Sequence, residues 1–232
     1  MTPKPFVKGV GAVAAFAAIV LTGMSIRSSP VQADDEVNND ESKIQIGFAI
    51  APVPLNLTGK DRRLVGLGSY IVNGANDCNA CHHSGTPPNF EYLPGGNPYF
   101  NQRKVVNPAT YLGGGQNFGP VGPPPSPDII TRNLTPDKTG HPEGGHTFAE
   151  FLQIIRNGKD FDHLHPNCSA TRTTNCIPAF TGVDGDLLQI MPWPYYQSMT
   201  DHDLLAIYTY LSAIPCIDTI VAGQPQLRNI CH

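Results

Sequence analysis

Cys78-Asn79-Ala80-Cys81-His82 is the stretch on which the reading of this chain turns. It is a C-x-x-C-H sequence, the pattern of covalent haem attachment. One turn of chain sets two thiols under the two vinyl groups of a porphyrin, and the next imidazole then sits beneath the iron. Both thiols become thioethers, so the group cannot leave and an edge of it can be exposed safely. A thioredoxin-like dithiol would need alternating strands and helices around the motif, and the chain reads otherwise. A zinc site would need a second close cysteine pair, and a disulfide across a two-residue loop is strained. The motif occurs once, which predicts a single group and excludes a multihaem wire within the chain.

Outward from the motif, the first 33 residues read as an export signal. Lys4 and Lys8 precede an apolar run from Gly9 to Met24, and Val31-Gln32-Ala33 resembles a small-residue cleavage site. The run is short for a membrane span, so 1–33 is either a cleaved signal peptide or an anchor. The location expected is periplasmic or exported, with membrane association through the N-terminal segment as the variant. The whole chain carries a formal net charge of -4. Cleavage would take three of the fifteen basic side chains and no acid, leaving twelve against nineteen and a net charge of -7. That balance excludes a nucleic-acid binder, which shows a basic stripe. It predicts redox protein partners with a basic docking patch. Glycine and proline number 23 each, which points to short helices joined by long loops.

Residues 34–60 read as an extended leader, acidic and disordered from Asp34 to Glu41 and broken by Pro52 and Pro54. Asp61 is a good N-cap for a first helix with Leu64, Leu67 and Ile71 on its apolar face, and Gly74 suits its left-handed end. Residues 84–128 form a long Gly/Pro/Asn-rich loop. Thr147-Phe148-Ala149-Glu150 is a capping box that opens a second helix, with Phe148, Phe151, Leu152 and Ile155 on one face and Gly158 as its stop. Thr200 opens a third helix carrying Leu204, Ile207, Tyr208 and Leu211. Four further cysteines remain, and nearest-neighbour pairing predicts disulfides 168–176 and 216–231, one of three connectivities.

A second axial ligand must come from elsewhere. Met191 lies in the stiff segment Met191-Pro192-Trp193-Pro194, a suitable mount for a weak thioether ligand. Met199 reads as packing under the start of the third helix. His163 and His165 compete with Met191, while His83 is expected to point away. His141, His146, His202 and His232 suggest no second metal.

As an ordered set, these pieces resemble the class I c-type cytochromes, and within them the single-haem domains of alcohol and gluconate dehydrogenase cytochrome subunits. The set comprises Gly68-Ser69-Tyr70-Ile71, Cys78 to His82, Asn133-Leu134-Thr135-Pro136-Asp137, Thr147 to Gly158, and Met191-Pro192-Trp193 with Met199-Thr200-Asp201. The resemblance covers 61–215, leaving 216–232 as a disulfide-stapled tail. It implies a small all-α cytochrome c fold with long Gly/Pro-rich loops around one covalent haem c. It implies His82 and Met191 as iron ligands, with Asn133 and Thr135 near the propionates. The activity implied is one-electron transfer by a carrier, not an enzyme of its own. The alternatives are a haem enzyme or gas sensor with a displaceable distal ligand, and a haem subunit of a larger dehydrogenase or oxidase complex. The chain departs from those subunits in carrying one motif, an insertion from about Asn167 to Asp186, and an enlarged loop after His82. A backbone carbonyl of Pro87 or Pro88 is the expected partner for the second ring nitrogen of His82.

Overall fold

The computed structural model describes residues 33–85, 91–120, 128–161, 187–188, 190–219 and 229–232. The predicted disulfide 168–176, both competing histidines at 163 and 165, and the residues before 33 lie outside them.

Among the described residues, helices form the body of the fold. Asp61 caps α2 (Arg62–Tyr70) as expected, its side chain accepting from the Arg63 and Leu64 amides. The helix does not stop at Gly74. It widens into a π-turn over Ile71–Ala75, and the left-handed position falls at Asp77, φ 45°. The widened turn is where Asn73 donates to the Ser69 carbonyl at 3.0 Å and meets Tyr210 and Tyr111, so a buried polar cluster holds the backbone open.

Two helices cross α2 at its glycines. A Cβ on Gly68 would overlap the Ala206 carbonyl of α7 (Asp201–Leu211), so the two backbones touch there. On the other side a Cβ on Gly66 would reach Ile44 and Phe48 at 2.7 Å. Those residues belong to α1 (Ala33–Ile50), and this corrects the expectation of an extended leader over 34–60. Ile44, Gly47 and Phe48 give α1 a face that packs on α2, and Ser69 Oγ donates to the Gly47 carbonyl at 2.7 Å. Packing of that face outweighs the acidic composition. From Ala51 the chain is irregular, and Asn56 N–H reaches the Ala213 carbonyl at 2.8 Å.

α5 (Phe148–Asn157) has the predicted capping box at Thr147 and Glu150, and Gly158 ends it at φ 67°. Phe151, Ile154 and Ile155 of α5 join Val65, Val72, Leu204 and Leu211 in the main core. Thr200 caps α7, accepting from the Asp203 amide. The remaining elements are single turns: α3 (Asn79–His82), α4 (Pro142–Gly145) and α6 (Trp193–Tyr196).

The all-α expectation needs one amendment. Two short strands, β1 (Asn117–Pro120) and β2 (Asp128–Ile130), pair antiparallel. Ile129 and Ile130 are β-branched and buried, which suits a pleated strand despite the Gly/Pro-rich context. The C-terminal tail is stapled as predicted by the Cys216–Cys231 disulfide, with Cα atoms 5.7 Å apart.

Candidate cofactor-binding site

α3 is one turn long, and its position is fixed from both sides. The Cys78 amide donates to the Val72 carbonyl at 3.1 Å, the His82 amide to Cys78 at 3.0 Å, and the Gly114 amide to the His82 carbonyl at 2.6 Å. Asn79 Oδ1 accepts from the Leu112 amide at 2.9 Å, which holds the turn against the following loop. Cys78 and Cys81 are free thiols, not a bridged pair. Burial, helped by the Asp77 charge, pushes the Cys78 thiol up to about 12 and raises Cys81 as well. Such thiols are poor nucleophiles, which counts against a redox dithiol.

His82 Nδ1 lies 2.8 Å from the Arg132 carbonyl. A carbonyl only accepts, so Nδ1 carries the proton and Nε2 presents a bare lone pair. Burial lowers the affinity of the ring for a second proton, against the raising effect of that hydrogen bond, so the imidazole stays neutral. The expected carbonyl from Pro87 or Pro88 is thereby corrected: those residues lie outside the described ones, and Arg132 supplies the bond.

Cys78, Cys81 and His82 open onto a cavity with about 1290 Å³ of free space, part of it continuous with solvent. Most of its wall is apolar, including Val72, Phe118, Ile130, Ile154 and Leu204. Met191 lies on the same wall, and so does Met199, which the sequence reading assigned to packing alone.

The Met191 segment is fastened to the end of α5. The Leu188 amide donates to the Gly158 carbonyl at 2.7 Å, and Lys159 and Leu187 form an isolated bridge. The Trp193 ring rests on Gly158, where a Cβ would overlap it, and its Nε1–H reaches the Leu188 carbonyl at 3.3 Å. Arg156 donates to the Gln197 carbonyl at 2.7 Å, the Met199 carbonyl at 2.9 Å and Asp201 at 2.5 Å.

The structure brings Cys78, Cys81, His82 and Met191 to one cavity. It does not bring Asn133 and Thr135 there. Asn133 Nδ2 donates to the Ile217 carbonyl at 2.8 Å and to Thr219 Oγ1 at 2.7 Å. Thr135 Oγ1 donates to Asn133 Oδ1 and accepts from the Ile217 amide at 3.0 Å. Their polar atoms hold the tail instead of reaching the cavity. His83 is buried beside Gln116 and off the cavity wall.

Sequence reading missed a charged corner of the wall. Arg132 Nη2 pairs with Asp160 Oδ1 at 2.5 Å, and Glu143 lies beside them. The only sequence signal was a basic residue directly before the quoted Asn133 segment.

The donor set separates two kinds of guest. A bare ion such as zinc needs three or four protein ligands. Among the described residues no group of three His, Cys, Asp or Glu side chains could hold one. One neutral imidazole and one thioether in an apolar cavity instead suit a macrocycle that brings four ligands of its own, and two adjacent thiols offer it covalent attachment. The residues therefore fit a haem. Among the described residues no helix is long and apolar enough to cross a membrane.

No protein-family model matches the chain, and no solved structure matches it significantly. Curated relatives do. The chain is 28% identical over 166 residues to the protein named alcohol dehydrogenase (quinone), cytochrome c subunit, in Gluconacetobacter polyoxogenes and in Komagataeibacter europaeus, covering 71% of this chain. It is 28% identical over 149 residues to the gluconate 2-dehydrogenase cytochrome c subunit of Pantoea cypripedii, covering 63% of this chain. The matched region is 24% and 22% of those relatives, about a quarter of their length. The likeness supports a chain of the cytochrome c subunit kind.

Proposed function

We propose that the chain is a monohaem c-type cytochrome that carries one electron at a time, outside the cytoplasm, for a larger oxidoreductase system. The observation that carries this reading is the neutral His82, proton fixed on Nδ1 by Arg132, in one cavity with two unbridged thiols and Met191. Cys78 and Cys81 would attach the group, and His82 and Met191 would hold its iron. When bound, the haem supplies a one-electron couple that the thioether–imidazole pair sets higher than two imidazoles would.

The protein's own part is to hold these donors still. The bonds at both ends of α3 fix the imidazole, and the platform at Gly158 fixes the sulfur. The apolar wall would limit contact of a bound group with water, which would tune its potential. The names of the relatives favour a place as a haem subunit beside a dehydrogenase. The acidic balance of the chain favours a partner with a basic face.

The test is production in a host able to attach haem, followed by mass spectrometry and a reduced visible spectrum. The reading expects one haem mass on the 78–82 peptide and a weak long-wavelength sulfur–iron band that M191A removes and M199A keeps. An unmodified peptide refutes the cytochrome. A band lost in M199A and kept in M191A refutes the ligand.

A further inference from the structure

Glu143 occupies a place the electron-transfer reading does not use. It sits on the cavity wall at the turn α4, with the backbone at φ 53° and ψ 52°. Left-handed geometry is costly for a residue with a Cβ, and such outliers cluster at functional sites. The side chain is half-buried, and no described residue donates a hydrogen bond to its carboxyl.

Among the described residues, charged groups face it from two segments. Arg132 faces it from the segment after β2, and Asp160 from the segment after α5; the two pair with each other at 2.5 Å. Within the turn itself, His146 follows, with Nδ1 3.8 Å from Glu150, and Asp137 packs where a Gly145 Cβ would be. Arg132 favours the ionised carboxyl and Asp160 opposes it, so the guanidinium is already engaged. Burial then dominates and raises the carboxyl to about 7.

We propose that Glu143 is a proton-binding site linked to the electron: its carboxylate takes one proton from solvent when the cavity's redox group gains one electron, and returns it when that electron leaves. The inference rests on the haem reading above. Its balance is simple. Where the carboxylate protonates, one electron from the redox donor is matched by one proton from water and the charge of that cavity stays constant; averaged over all molecules, a fraction of a proton is taken up per electron. The electron cancels one positive charge, which removes support for a carboxylate to which no described residue donates a hydrogen bond. The affinity for the proton therefore rises in the reduced state.

The experiment is a redox titration of the holoprotein between pH 5 and 9, with E143Q and E143D beside the wild type. Proton uptake on reduction is read separately with a pH-indicating dye in weak buffer. The wild-type potential falls as pH rises through the neutral range, with dye-reported uptake of a fraction of a proton. A tenfold difference in proton affinity between the two states spans about 59 mV in total. E143Q gives a flat potential and no uptake, while E143D keeps the slope at a displaced pH. A slope that persists in E143Q, or a flat wild type with a normal haem spectrum, overturns the proton site and leaves the cytochrome standing. Absence of covalent haem sinks both.

Discussion

Replacing Gly158 by Ala tests whether the end of α5 holds the Met191 segment. Two costs are expected. Gly158 has φ 67°, where a side chain costs about 1–2 kcal/mol. The new methyl would also overlap the Trp193 ring, which is half-buried, so the ring must leave its seat. Losing that contact costs about 1–2 kcal/mol more. The sum, about 3 kcal/mol, lowers Tm by roughly 6–12 °C for a chain of this size. Asn separates the two costs, because it adopts the left-handed region far more readily than Ala but still carries a Cβ. G158N should therefore recover the backbone share and still displace the ring. Trp193 is the only tryptophan, so its emission reports the displacement directly and should move to longer wavelength in both variants. The sulfur–iron band should weaken with it. A red-shifted emission in G158N with the sulfur–iron band unchanged would show that the ring contact does not position Met191.

Other consequences are more local. The double change C216S/C231S opens a loop with a sequence separation of 15 and should cost about 3 kcal/mol in urea unfolding, with the visible spectrum kept, since the tail bonds to Asn133 and Thr135 off the cavity wall. N73A removes a shared partner of the Tyr111 and Tyr210 hydroxyls and should cost about 1–3 kcal/mol by the same assay. G66A drives a methyl into Ile44 and Phe48 and should cost about 1–3 kcal/mol, with faster proteolysis in α1. Glu143 adds a pH dependence. Its folded carboxyl is raised from 4.5 to about 7, so the folded chain binds more protons than the unfolded one between those values. Stability is therefore greatest below the lower value and falls as pH rises to the upper one. E143Q should stabilise the protein by at most about 3 kcal/mol at pH 8 and change little at pH 4.

The helices that carry the cavity were legible because their signals are local. Asp61, Thr147 and Thr200 announce three starts, and periodic apolar residues give three faces. The attachment motif was legible for the same reason: its chemistry lies within five consecutive residues. α1 was not, because its buried face includes Gly47, whose role exists only opposite Gly66, 19 positions away. Arg132 was harder still. It orients His82 through its backbone carbonyl, which any residue possesses, so no side-chain pattern could reveal it. Asp160 and Glu143 acquire meaning only once Arg132 has a place. Asn133 and Thr135 stood out as a pattern, but their bonds to the tail could not be read from it; the carbonyl one residue earlier meets His82.

This division has a mechanical consequence. The two halves of the donor set hang from different supports. Cys78, Cys81 and His82 share one helical turn that is bonded to Val72, Leu112 and Gly114. Met191 depends on Gly158, Trp193 and Arg156, all on or against the end of α5. On the haem reading, damage to the second support should release Met191 while leaving attachment at Cys78 and Cys81 and the His82 imidazole in place. Damage to the first should abolish attachment altogether. The wall between them carries the Arg132 residue whose carbonyl steadies the imidazole and whose guanidinium holds Asp160 beside Glu143. On the haem reading, a change of charge at that corner can therefore reach the cavity without moving either support, and potential, not ligation, is the quantity it should alter.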